Sequence, residues 1–218
     1  MEIVQCHTPN KSLKKRLRTN ITLGVVHYTG SMNFDGTLNW FENPKAKVSA
    51  HYVIGREGTV AQFETIYTKL WHAGKSEWNG RKWCNGYSIG YELVGTSDSG
   101  FTQEQYDALC EVIMDNMTNC PLSAIVGHEH ISPGRKVDPG EGFNWNKIAA
   151  PLAIEINKHT FTGNKLAQIG PKRLKPVPLA VNESGRELDV PEPMVTSTST
   201  EVRNPKMGNG KDPWWKIW

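Results

Sequence analysis

The sequence predicts an α/β or α+β domain built around a sheet. Three observations point there: five short apolar runs bounded by turn residues, a hairpin turn joining two of them, and one long helical stripe that opens on a capping signal. The first run is ITLGVVH at 21–27, and a short helix is expected near Thr37 to Phe41. HYVIG at 51–55 and TVAQF at 59–63 follow, joined through the turn residues REGT at 56–59. After SIGYELV at 88–94, Thr102 can cap a helix, with Gln105 three residues on as its capping-box partner. Tyr106, Leu109, Cys110, Ile113, Met114 and Met117 then recur at helical spacing until Pro121 ends the element. This stripe reads as core rather than as a binding groove. SAIVGH at 123–128 is the last run, and a second helix is expected over about 145–158, kinked or restarted at Pro151.

Length and composition set the outer limits. A chain of 218 residues accommodates one ordinary domain with an appendage, or two very small domains. With 38% hydrophobic and 22% charged residues and a mean hydropathy of -0.51, it is neither wholly disordered nor built to span a membrane. The start, MEIVQCHTPNKSLKKRLRTN, has basic residues but no apolar run behind them, so no secretory signal is expected and synthesis is expected to be cytoplasmic. Cys6, Cys84, Cys110 and Cys120 are scattered and form no CxxC, which reads as reduced, structural thiols.

The net charge of +3 is too small to imply nucleic acid. Acidic and basic residues balance over 1–163, so the excess lies in the last quarter. That quarter also holds seven of the 13 prolines and the polar run TSTSTE, and it ends in KDPWWKIW. Such a stretch buries too little apolar surface to offset its ordering entropy. A catalytic domain over 1–163 and an extended Pro-rich tail over 164–218 are therefore expected, the tryptophans of the tail fitting a protein partner or the domain itself. The basic cluster KSLKKRLR at 11–18 reads equally as a solvated arm or a docking patch.

The chemistry shows where polar residues interrupt the apolar runs. LGVVH and AIVGH each put a histidine at the carboxyl end of a strand, the sheet edge at which α/β proteins bind ligands. His27 and His128 can then face one cleft, and Asp138 follows in a Gly- and Pro-rich loop able to turn back toward it. Two imidazoles and a carboxylate with one position left open suit a catalytic zinc ion. The spacing equally allows two satisfied core histidines and a turn aspartate, because no compact HExxH or Cys cluster forces a metal.

In SIGYELV, side-chain alternation puts Ser88, Gly90 and Glu92 on one face, so the carboxylate has space beside it for a substrate and can act as a general base. Lys136 can neutralise a developing oxyanion, or be an ordinary surface charge.

In order along the chain, VVHYTG, SAHYVIGREGTVAQF, WHAG, CNGYSIGYELVGT, FTQEQYDAL and VGHEHISPGRKVDPG resemble the motifs of the zinc-dependent N-acetylmuramoyl-L-alanine amidases of type 2. The resemblance covers about residues 21–150 and implies a central mixed sheet flanked by helices. It also implies hydrolysis of the amide between N-acetylmuramic acid and the L-alanine of the stem peptide, in peptidoglycan or a muropeptide. Carried over by position, it implies His27, His128 and Asp138 as zinc ligands, Glu92 as general base and Lys136 as oxyanion stabiliser. Trp71, His72, Arg81 and Trp83 fall in segments that line the substrate cleft of such enzymes. Asp138 matches the AmpD-like branch, where other members have cysteine, and Ala50 stands where some phage enzymes have a catalytic tyrosine. His51 reads as structural, and His130 as a poor rival ligand. Lack of a signal suits either a recycling enzyme or a phage lysis or virion-associated hydrolase delivered to the periplasm by a holin or the particle. The tryptophan-rich tail favours the phage setting, and an intact ligand set argues against a binding module without activity.

Overall fold

Alternation along one strand decides the layering of the molecule. Ile89, Tyr91 and Leu93 pack on Tyr106, Leu109 and Ile113 of the long helix, whereas Ser88 and Gly90 meet His72 on the opposite face. The computed structural model describes residues 3–161 and 164–171, with side chains as far as 153. Its strands are β1 (Ile3–Cys6), β2 (Leu23–Tyr28), β3 (Tyr52–Ile54), β4 (Val60–Phe63), β5 (Glu77–Trp78), β6 (Arg81–Lys82), β7 (Ser88–Leu93), β8 (Ala124–Gly127), β9 (Ile154–Phe161) and β10 (Asn164–Pro171). The helices are α1 (Phe34–Glu42), α2 (Gln103–Asn119), α3 (His128–Ile131) and α4 (Asn146–Ala149).

Eight strands form one mixed sheet in the order β1-β4-β3-β7-β2-β8-β10-β9, with β5 and β6 as a separate hairpin. The centre, β3, β7, β2 and β8, is parallel. It is buried throughout, as expected of strands covered on both sides. One face carries α2 and α4, and the other carries α1 and the loops around Leu70, Ala73 and Cys84. The expected strands appear within two residues at each end. The capping box is present: Thr102 Oγ1 accepts from Gln105 N–H, and Gln105 Oε1 accepts from Thr102 N–H. All four cysteines are free and buried.

Several expectations are corrected. The helix expected over 145–158 stops at Ala149: Pro151 interrupts it, Ala153 takes a left-handed φ of 50°, and the isoleucine-rich stretch beyond becomes β9. Met114 leaves the core stripe and is 44% exposed. The cluster at 11–18 is not a free arm, because the buried Arg16 guanidinium donates to the carbonyls of Asn85, Ser88 and Ile66, and Lys11 Nζ lies 2.5 Å from Glu64 Oε1. β9 and β10 pair antiparallel on either side of the boundary expected between 163 and 164, and β10 joins β8 through Ile169 and Ile125. The remainder of the tail, 172–218 with its KDPWWKIW end, lies outside the described residues.

Candidate metal centre

Parallel register brings the polar residues to one edge of the sheet. His27 is the Cα partner of Glu92 across β2 and β7, and Val26 pairs with Gly127, so His128 begins just beyond the end of β8. The chain then turns through Ser132 to Lys136 and comes back, with Glu129 N–H donating to the Asp138 carbonyl at 2.9 Å. Gly127 permits this return, since a Cβ there would sit 2.7 Å from Pro139 Cδ.

At that edge three donor atoms converge. His27 Nδ1 lies 3.0 Å from His128 Nδ1 and 2.9 Å from Asp138 Oδ2, which is 3.1 Å from His128 Nδ1, and all three residues are buried. His128 Nε2 lies 3.2 Å from the Ala73 carbonyl and 3.4 Å from the Arg135 guanidinium, so a proton on Nε2 that faces the carbonyl would leave Nδ1 free for a cation at the inner point. Burial, and then His128, push the His27 imidazole down to about 4 against the pull of Asp138. Burial raises the Asp138 carboxyl, but hydrogen bonding with His128 and His27 outweighs it and holds the group below the ordinary aspartate range. Two imidazoles and a carboxylate aimed at one point form a donor set that calls for a cation, and a divalent metal with nitrogen and oxygen ligands fits it.

Glu92 stands beside this set. It is fully buried, and among the described residues neither carboxylate oxygen has a hydrogen-bond partner. Burial, and then Asp138, push its pKa well above the ordinary value, while Lys136 opposes them. A buried carboxylate without a partner is costly unless an absent group satisfies it, which is what a base waiting for a water proton looks like. Lys136 is half-buried, and burial lowers its pKa while Asp138 raises it.

The other expected residues are placed unevenly. His72 is buried at 2% exposure and lies behind His27, its Nδ1 3.0 Å from His27 Nε2. It fills the space beside Gly90 that the alternation argument left for a substrate: a Cβ on Gly90 would lie 2.6 Å from His72 Cγ. Trp71 is partly buried, with Nε1 3.3 Å from Ser12 Oγ. Arg81 is exposed, its guanidinium 3.9 Å from the centre of the Tyr87 ring. Trp83 is 64% exposed at a left-handed φ of 63°. His51 Nδ1 accepts from Gly90 N–H and its Nε2 faces the Thr68 carbonyl, a structural placement. His130 Nδ1 accepts from Gly127 N–H, outside the donor cluster.

Two contributors to the site are not singled out by the sequence. Arg135 donates to the carbonyls of Ala73 and Lys75 and to Ser132 Oγ, tying the loop beneath His128 to the loop that carries Asp138. Its signal was its place in GRKVDPG. Ser88 bonds His72, and nothing in the sequence marks that contact across 16 positions.

The profile of the N-acetylmuramoyl-L-alanine amidase family matches residues 17–141. The 1,6-anhydro-N-acetylmuramyl-L-alanine amidase AmpD of Salmonella typhimurium is 37% identical over 133 residues, 60% of this chain and 71% of that protein. The AmpD of Haemophilus influenzae is 43% identical over 109 residues, 49% and 59% of the two chains. Among solved structures, a crystal structure of selenomethionine AmpD superposes with a TM-score of 0.56 at 31% identity, covering 69% of this chain and 94% of that one. The amidase AmiD of E. coli, solved with anhydro-N-acetylmuramic acid-L-Ala-D-gamma-Glu-L-Lys, gives 0.57 at 27% identity, covering 64% and 60%.

Proposed function

The chain belongs to the N-acetylmuramoyl-L-alanine amidase family, and from that premise we propose that His27, His128 and Asp138 hold the zinc ion of this amidase and that Glu92 is its general base. One observation carries the proposal: three buried donor atoms converge beside a buried carboxylate that has no partner among the described residues. A zinc ion held there supplies Lewis-acid polarisation of the scissile carbonyl and acidifies the attacking water. Glu92 takes the proton of that water and delivers it to the departing L-alanine nitrogen. In this reading Lys136 supplies an ammonium to the charge that builds on the carbonyl oxygen. Trp71, Arg81 and Trp83 are read as contacts for the muramoyl peptide, the exposed Trp83 offering its ring for stacking.

The substrate proposed is a soluble 1,6-anhydro-muropeptide, on the strength of the likeness to AmpD and to an AmiD solved with an anhydro-muropeptide. A second reading, a phage lysis or virion-associated wall hydrolase acting on intact peptidoglycan with a protein partner for the tail, rests on the tryptophans of KDPWWKIW. Incubation with intact sacculi and, separately, with soluble anhydro-muropeptides, followed by product analysis, separates the two. Release of stem peptide from the soluble substrate alone supports the first, and solubilisation of sacculi at a comparable rate supports the second.

A further inference from the structure

Behind the metal donors runs a chain of hydrogen bonds whose direction can be read from its far end. The Cys84 carbonyl can only accept, and Ser88 Oγ lies 2.6 Å from it, so the hydroxyl proton points there. The same carbonyl already accepts Tyr87 N–H, and without the hydroxyl proton two oxygen lone pairs would be pressed together at this distance. With its one proton spent, Ser88 Oγ can only accept from His72 Nε2, 3.2 Å away. A neutral His72 protonated at Nε2 has a bare Nδ1, and that atom faces His27 Nε2 at 3.0 Å. His27 must then carry a proton on Nε2, so that once a cation replaces the proton between His27 Nδ1 and Asp138 Oδ2, the Nδ1 lone pair is aimed at the point shared with His128 and Asp138.

We propose that Ser88 and His72 are positioning residues that lock His27 in the Nε2–H tautomer and so prepare its Nδ1 to take the metal. The inference deepens the zinc assignment above and rests on it. Gly90 is part of the same device, because a Cβ there would lie 2.6 Å from His72 Cγ and displace the ring. Partners of this kind behind metal-bound histidines typically change affinity by about 10- to 100-fold when removed.

The test combines ring-nitrogen NMR with zinc affinity in the full-length protein. In metal-free wild type, long-range proton–nitrogen spectra should show His72 protonated at Nε2 and bare at Nδ1, and in the zinc-loaded protein His27 should be protonated at Nε2. Ser88→Ala should let His72 move its proton to Nδ1 and weaken zinc binding by about 10-fold or more, measured by competition with a chromophoric chelator. His72→Leu should weaken zinc at least as much. A metal-free wild type with His72 protonated at Nδ1 overturns the proposal without any variant. A folded Ser88→Ala protein with unchanged His72 tautomer and zinc affinity overturns it as well. His27→Ala is the separate control: undiminished zinc affinity there would overturn the ligand assignment itself, whereas loss of zinc there with an unaffected Ser88→Ala protein would overturn only the relay.

Discussion

Glu92 and His128 occupy adjacent places in one site but answer to different physics, and substitution separates them. His128 supplies one of three donor atoms, and two remaining ligands seldom hold zinc, so His128→Ala should lose both metal and activity, measured by metal analysis of the purified protein. Glu92 donates nothing to the donor set. Glu92→Ala should retain zinc and lose about 100-fold or more in turnover, the usual scale for a general base. Zinc loss in that variant would mean that a ligand had been mistaken for a base. At this scale the sequence was informative about the residues that interrupt apolar runs. His27, Glu92 and His128 stood out because polar groups on buried strands need a reason. His72 did not stand out as a partner of His27, since their contact spans 45 positions and depends on a loop crossing the sheet face.

Among the elements, α2 shows how a local signal and a tertiary one can share a side chain. Thr102 caps the helix and also donates to the Arg56 carbonyl, so Thr102→Ala should cost about 1 kcal/mol of stability, seen as a lower denaturant midpoint. Gln105 completes the box, but its Nε2 also donates to the carbonyls of Ile54 and Val94 inside the sheet. Gln105→Ala removes the side-chain donor to the buried Val94 carbonyl, while the Ile54 carbonyl keeps Val94 N–H, and should cost more than Thr102→Ala, about 2–3 kcal/mol. Equal losses in the two variants would show that the box, not the sheet contact, dominates. The box was legible because its spacing is local; the sheet contact was not, because β3 lies 51 positions away. The misplaced second helix has the same origin. Local spacing from Asn146 suited a helix, while pairing of β9 with β10 depends on residues still to come.

Across the whole molecule, the parallel centre β3-β7-β2-β8 is what makes the site possible, because its strands end together and deliver His27, Glu92 and His128 to a single edge. Every strand of this centre appeared in the sequence as an apolar run, whereas the edges β1, β9 and β10 did not, being shorter of apolar residues or read as helix. The edges matter for where the catalytic unit stops. The β9–β10 hairpin covers the free side of β8, the strand that leads into His128, so removal of the hairpin should expose an edge next to His128. A chain ending after Pro171 keeps that cover. It should fold, bind one zinc and hydrolyse soluble anhydro-muropeptide within about twofold of the full-length rate. A chain ending after Ala153 should be less soluble and bind zinc more weakly, read by light scattering and chelator competition. If the tail beyond Pro171 serves delivery to the wall or docking on a partner, its removal lowers activity on intact sacculi while sparing the soluble substrate. Loss of zinc or of soluble-substrate activity in the chain ending after Pro171 would instead make 172–218 part of the catalytic unit, and the proposed separation of catalysis from delivery would fall.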